Sequence, residues 1–263
     1  MRNEQFPAGK VLEEYQNKIY HLALSISRNE KDAEDIVQNT FVKILRKLPT
    51  FSGRAKLSTW VYRVAYNESL MFLRKKRRIF NSSDAYLNYA KRLPAGLAVN
   101  WSKLQDEELL DKELRSRVDS ALKDTPIQYR MPMLLHHNAG FSIYEIAKIL
   151  GIKAATVKTR LHRAYLIFKE KMSAYFNDLP EREVKEDKSC GLWNRFLFDY
   201  AKEELSFKKR EAFNRHIKDC PRCNAFLGSY LKAIKLTGAL SCRDIPEELK
   251  ANLKTFLLRR KNT

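Results

Sequence analysis

Residues Phe141 to Ala164, FSIYEIAKILGIKAATVKTRLHRA, constrain the fold most, because they encode two short helices joined by a sharp turn. Ile143, Ile146, Ala147 and Leu150 recur at helical spacing and mark the buried face of a first helix. Gly151 falls where that helix must stop, and a residue without a Cβ reaches positive φ there at low cost. Val157 and Leu161, four apart, anchor a second helix on the same small core. Its other face carries Thr156, Lys158, Thr159, Arg160, His162 and Arg163, hydrogen-bond donors with almost no acidic member. Such a face suits base edges and phosphates in a DNA groove. The alternative for this segment alone is an ordinary amphipathic hairpin whose basic face is merely solvated.

The charge balance points the same way. Fifty Lys and Arg against 31 Asp and Glu give a net charge of +19 over 263 residues, which calls for a polyanionic partner. Nucleic acid comes first and an anionic membrane surface second; composition does not choose between them, but the helix-turn-helix does. No apolar run suited to a signal peptide follows Met1, and no stretch approaches a membrane span, so a cytoplasmic location is expected. Gly and Pro are scarce, eight each, and strand-like alternation is hard to find, so the expected fold is all-α.

The expected organisation is a helical block over 8–79, a linker over 80–112, a second block over 113–178 holding the helix-turn-helix, and a third over 189–263. The first block ends in the basic run Arg74 to Arg78. The linker carries Asn81-Ser82-Ser83, Pro94-Ala95-Gly96 and an acidic stretch near Gln105 to Glu113. Pro180 and the charged segment Glu181 to Lys188 mark the next boundary.

Within the first block, KDAEDIVQNTFVKIL (31–45) is an amphipathic helix with an acidic start. Asp32, Glu34 and Asp35 suit the positive end of the helix dipole, and Ala33, Ile36, Val37, Phe41 and Ile44 form the apolar side. FSGRAKLSTWVYRVAYN follows, from Phe51 to Asn67. Gly53 permits a loop, and Trp60, Val61, Val64 and Ala65 open a new helix. Phe51, Lys56, Trp60, Tyr62, Arg63 and Asn67 mix aromatics with cations, a combination that suits unstacked single-stranded bases. Of Trp60 and Tyr62, one is expected to be a core aromatic instead.

DAEDIVQNTF, FSGRAKLSTWVYRVAYN and the closing LRKKRR resemble the second conserved region of an extracytoplasmic-function (ECF) sigma factor of the sigma-70 family. The stretch from about Asp124 to Lys171, with TVKTRLHRA at its heart, resembles the fourth region of that family. The two blocks, in the right order, cover about the first two thirds of the chain. The resemblance implies partners, core RNA polymerase and promoter DNA, and roles for particular residues. Asp32, Asp35, Gln38 and Phe41 would dock on the clamp helices of the polymerase's largest subunit. Phe51, Lys56, Trp60, Arg63 and Asn67 would capture the −10 element as it melts, with a flipped base held near Phe51 and Asn67. Lys158, Thr159, His162 and Arg163 would read the −35 element, with Arg160 and Lys153 on phosphates. The linker would thread toward the RNA exit path. Two departures from the family pattern leave promoter sequence open: Asn67-Glu68-Ser69-Leu70-Met71 after the asparagine, and Ala154 and Ala155 where a glycine is usual before the threonine.

The third block contains Cys190, His216, Cys220 and Cys223, spaced C-x25-H-x3-C-x2-C. His216 and Cys220, four apart, are expected to share one helix face. Pro221 ends that helix and opens the next, which brings Cys223 round to the same point. Cys190 completes a Cys3His set, the closed tetrahedral arrangement of structural zinc. Cys242 falls outside the set and is expected to be a free, core-packed thiol.

The spacing resembles the zinc-containing anti-sigma domain, which binds and masks ECF sigma factors. Fusion behind a sigma factor implies regulation in cis or a docking surface for a further protein. Zinc is expected to be structural, with oxidation of Cys190 together with Cys220 or Cys223 as the alternative. Because the block is itself basic, masking is expected by helix packing rather than by mimicry of DNA charge. The stripe Leu192, Trp193, Phe196, Leu197 and Tyr200 is a contact face or core, and the amphipathic tail Leu249 to Arg260 is a candidate to pack on the preceding regions. Other readings are a stand-alone helix-turn-helix regulator and a sigma factor recruited to DNA by another protein through the third block. No nucleophile–base pair, phosphate loop or open metal position is evident, so an enzyme is not expected.

Overall fold

The computed structural model describes residues 7–79, 112–173, 190–238 and 245–261. Among the described residues the chain forms α-helices and short 3-10 turns, with no strand, as the scarcity of alternation predicts. In chain order the helices are α1 (Ala8–Ser27), α2 (Glu30–Lys47), α3 (Leu57–Ile79), α4 (Lys112–Asp124), α5 (Ile127–His137) and α6 (Ile143–Leu150). Then come α7 (Ala154–Lys171), α8 (Cys190–Trp193), α9 (Leu197–Ala201), α10 (Phe207–Asp219), α11 (Pro221–Gly238) and α12 (Glu247–Lys261). They divide into two compact units. The first contains α1, α2, α3, α6 and α12; the second contains α4, α5 and α7 to α11. The block after residue 189 is thus shared between the units. Residues 105–111 of the acidic linker segment, the charged segment before Ser189 and Cys242 lie outside the described residues.

In the first unit α1, α2 and α3 pack on one another. Arg28 turns the chain between α1 and α2 in the left-handed conformation, φ 57°, with its N–H on the Leu24 carbonyl at 2.8 Å. The Asn29 side chain accepts the Asp32 N–H at 2.9 Å and so satisfies one of the open donors at the start of α2. Leu12, Ile19, Ile36, Val37, Phe41, Ile44 and Val61 form the core. The C-terminal tail packs on α1: Ile245, Leu249 and Leu253, each four apart, are buried, and the Ile245 N–H donates to Asn17 Oδ1 at 3.3 Å.

In the second unit Val157, Leu161, Ala164 and Phe168 of α7 are buried, and α7 packs on α4 and α5. Arg130 sits in that core at 1% exposure. Its guanidinium donates to the carbonyls of Leu122, Lys123 and Thr125 at 3.2, 3.3 and 3.2 Å, which places a cation on the negative end of α4. The turn between α6 and α7 follows the sequence reading: Gly151 has φ +67° directly after Leu150, and α7 starts at Ala154.

Candidate nucleic-acid interface and metal centre

The loop before α3 turns at Gly53, φ +70°, and α3 then projects Trp60, Arg63 and Asn67 at spacings of three and four, so the three share a face. Arg63 and Asn67 are exposed and Trp60 is half-exposed, whereas Tyr62 is buried at 4%, so Tyr62 is the core aromatic of the pair. Phe51 lies across the start of this face with its ring 5.2 Å from that of Trp60 at 46°. Two aromatic planes beside a cation and an amide form a platform on which unstacked bases can lie. Lys56 is exposed, with Nζ 2.8 Å from Glu145 Oε1.

On α2 the four residues assigned to polymerase docking separate. Asp35 and Gln38 are exposed. Asp32 is 6% exposed and accepts Lys76 Nζ on both carboxylate oxygens at 2.5 and 2.6 Å. Phe41 is fully buried among the α1–α3 core, so it has no surface to offer a partner and acts by fixing α2 in the bundle. A helical wheel puts Phe41 on the same side as the core residues Val37 and Ile44, and that apolar stripe was the available signal.

The six residues of α7 and its entry assigned to DNA reading also divide. Lys153, Thr159 and Arg163 are exposed, and Arg163 donates to the Tyr129 hydroxyl at 3.2 Å. Arg160 is half-exposed. Lys158 and His162 face the third block. Lys158 Nζ donates to Asp199 Oδ1 at 3.1 Å and to Glu204 Oε2 at 2.6 Å, and His162 Nδ1 lies 3.1 Å from the Tyr230 hydroxyl. One and two turns further along α7, Tyr165 stacks on Phe198 (6.2 Å, 17°) and meets Tyr230 edge-on (5.8 Å), and Lys169 Nζ sits 4.3 Å from the Phe226 ring centre. Residues 158, 162, 165 and 169 form one continuous stripe on α7, and α9 and α11 cover it.

The magnitudes separate the roles in this contact. The Lys158 pairs are 33–44% exposed and so contribute at most about 1 kcal/mol. Tyr165 and Tyr230 are fully buried, and aromatic pairs contribute about 0.5–1.5 kcal/mol beyond their area. Packing holds the contact. Sequence reasoning missed Phe198, Asp199, Glu204 and Tyr230, since no local pattern marks a contact partner 33 to 68 positions away.

Burial also sets the protonation of this unit. The Glu204 hydrogen bond is the leading influence raising the Lys158 ammonium above its ordinary range. Burial lowers His136 and His162 below the usual 6.5, and it lowers His137, hydrogen-bonded to the Tyr165 hydroxyl at 2.6 Å, to about 3. The His137 imidazole stays neutral in the fold over this range, while in the unfolded chain it takes up a proton below pH 6.5. The unit is therefore most stable above pH 6.5 and loses stability as pH falls toward 3. At pH 5, His137 alone is expected to cost about 2 kcal/mol. Thermal melts at pH 7.5 and 5 check this: His137→Gln should flatten the pH dependence, and an unchanged slope would contradict it.

Cys190, His216, Cys220 and Cys223 converge, with one ligand atom from each within 4.8 Å of the others. Cys190 Sγ and Cys220 Sγ are 3.9 Å apart, close to the ~3.8 Å of two thiolates on a tetrahedral metal with 2.3 Å bonds. His216 Nε2 is buried without a hydrogen-bond partner, which leaves a lone pair or proton with nowhere to go unless a ligand meets it. The ring is held by Trp193, stacked at 5.5 Å and 24°. Cys220 differs from expectation in one respect. The helix α10 ends at Asp219, and Cys220 is its extended cap, φ −121°, with its N–H on the His216 carbonyl at 2.9 Å. Pro221 then opens α11, as its lack of an N–H favours, and Cys223 swings inward. Burial, together with the neighbouring thiols, pushes Cys223 up to about 12; at Cys220 burial acts upward too, but hydrogen bonds from Cys223 and Cys190 outweigh it and the thiol is lowered. The set fits a tetrahedral, soft-ligand metal ion. Of the stripe noted in the sequence, Leu197 is buried, and Trp193, Phe196 and Tyr200 pack around Phe213 or one another, so these members are core of the block.

Two family descriptions match the chain, Sigma-70 region 2 over residues 11–79 and Sigma-70 region 4 over residues 116–166. The ECF RNA polymerase sigma factor SigW of Bacillus subtilis is 30% identical over 167 residues, 62% of this chain and 87% of that protein. The chain belongs to the ECF sigma factors. The ECF sigma-E factor of Escherichia coli K12 is 33% identical over 152 residues, 57% of this chain and 78% of that protein. The sigma factor RpoE of Bartonella quintana, solved with the anti-sigma factor NepR, shares the fold at TM-score 0.50 and 24% identity, covering 63% of this chain and 96% of that one. As an ECF sigma factor the chain is a promoter-recognition subunit for RNA polymerase and a non-enzymatic initiation factor. No helix among the described residues is long and apolar enough to cross a membrane.

Proposed function

We propose that this ECF sigma factor directs core RNA polymerase, in the cytoplasm, by capturing the melted −10 strand on the Phe51, Lys56, Trp60, Arg63 and Asn67 surface and reading the −35 duplex with α7. The observation that carries the reading is the shared face of Trp60, Arg63 and Asn67 with the Phe51 ring tilted beside it, an aromatic and cationic platform suited to unstacked bases. Asp35 and Gln38, exposed on α2, offer the polymerase-docking surface, with Asp32 and its Lys76 partner beneath. Lys153, Thr159, Arg160 and Arg163 contact phosphates and base edges; Lys158 and His162 join them when α9 and α11 withdraw.

The Cys3His set holds a structural zinc ion, since thiolate and imidazole suit that metal and four protein ligands leave it no open position. When bound, zinc supplies no chemistry beyond cross-linking α8, α10 and the start of α11. The block that it holds regulates the sigma factor in cis, a reading favoured by the packing of α9 and α11 on α7. Recruitment by another protein through that block is the second reading, favoured by the exposed Phe207, at 76%.

Run-off transcription with core polymerase on a genomic fragment library tests the proposal. Full-length protein, a chain ending at Leu179 and an Arg63→Ala, Asn67→Ala variant are compared. Shared start sites from the first two and their loss in the third are expected; silence from all three with duplex binding intact favours a stand-alone regulator.

A further inference from the structure

The third block is basic as a whole, yet the two side chains that it sets against Lys158 are carboxylates. Asp199 and Glu204 bracket the Lys158 ammonium at 3.1 and 2.6 Å, distances at which a phosphate oxygen accepts from lysine. One turn on, the Tyr230 hydroxyl occupies His162 Nδ1 at 3.1 Å. Both of these α7 side chains therefore have their polar ends engaged inside the protein, while Lys153, Thr159 and Arg163 stay exposed. The cover is one-sided, falling along the 158–162–165–169 stripe.

Resting on the reading of α7 as the −35 reader, we infer that Asp199 and Glu204 stand in for DNA phosphates on Lys158 and, with Tyr230 on His162, hold the recognition helix closed. The helix-packing route expected from the block's net charge is thus joined by a local charge device. Duplex DNA and the Asp199–Glu204 pair compete for one ammonium, and DNA gains Lys158 and His162 only when α9 and α11 move off α7. Opening adds about one phosphate contact, so it should steepen the salt dependence of DNA binding by about 0.9 in the log–log slope.

The test uses the full chain, metal-loaded, titrated with labelled duplex DNA across a range of salt. Asp199→Asn with Glu204→Gln is compared with Glu13→Gln and Glu211→Gln, two exposed carboxylates that give the same change in net charge. The paired variant is expected to bind about tenfold tighter than this control at low salt, with the steeper slope. Both gains should vanish when Lys158→Ala is added. Equal gains in the two variants, or gains that survive Lys158→Ala, overturn the inference.

Acylation of the unaltered chain, followed by mass spectrometry, gives an independent reading: Lys158 should react more slowly than exposed Lys153, and equal rates refute the occlusion. Run-off transcription with the same proteins separates this from the sigma reading. Transcription from the unaltered chain with no gain in the Asp199, Glu204 variant refutes occlusion alone. A DNA-binding gain with no transcription from any chain refutes the sigma reading while occlusion stands.

Discussion

Chelating the metal from the full-length protein is expected to melt α8, α10 and the start of α11 and to abolish the cooperative unfolding of that block. The block is small, with a core built around Phe213, Leu197 and the rings of Trp193 and Tyr200. A core of that size stabilises little by itself, whereas structural zinc contributes about 10–16 kcal/mol of apparent binding energy in small domains at neutral pH. Cys223 is 8% exposed and His216 Nε2 is buried without a partner, so the apo site also leaves a polar atom unsatisfied. The experiment measures metal per chain by mass spectrometry and follows tryptophan emission and far-ultraviolet circular dichroism during chelation. One zinc per chain, lost together with helical signal and with the Trp193–His216 stack, is the expected result. The same loss is expected in Cys220→Ser. A chain that purifies without metal and melts identically with and without chelator would refute the assignment.

Trp60→Ala should reduce open-complex formation about tenfold to hundredfold while leaving holoenzyme assembly intact. Base–aromatic stacking contributes about 1–3 kcal/mol per base, and Trp60 with Phe51 supplies the two planes beside Arg63 and Asn67. Trp60 is half-exposed, so its truncation does not open the core, in contrast to its neighbour Tyr62 at 4% exposure. Trp60→Phe should recover most of the activity, because a smaller ring still stacks. Permanganate footprinting of melted thymines reads the open complex, and gel filtration with core polymerase reads assembly. An unimpaired open complex in Trp60→Ala would remove this face from the −10 assignment.

The features legible in the sequence are those fixed by short-range geometry. Ile143, Ile146 and Leu150 marked a helix that runs from Ile143 to Leu150, because the 3.6-residue period and Gly151 both act within one turn. The convergence of Cys190, His216, Cys220 and Cys223 was legible for the same reason, with Pro221 setting the break between α10 and α11, although the extended backbone of Cys220 replaced the shared helix face. The family pattern puts Phe41 on a docking surface, but Phe41 also belongs to the apolar stripe of α2, and its full burial follows the stripe. Arg130 reads as one more cation in a basic chain, and only the fold shows it capping α4 from within. The Asp199 and Glu204 contact on Lys158 had no local signature, since its partners lie on α9 and the loop after it, which Tyr165, Phe198 and Tyr230 bring against α7.

On the proposed reading of the third block as a regulator in cis, its place on the same polypeptide changes what can relieve it. A competitor tethered on the chain meets its target at an effective concentration on the order of millimolar, whatever the number of molecules in the cell. Dilution, faster synthesis or a shortfall of a separate inhibitor cannot release it, and each new molecule is made with its restraint already attached. Relief has to come from an event on the individual molecule, such as cleavage between residues 173 and 190, displacement by DNA or polymerase, or unfolding of the block.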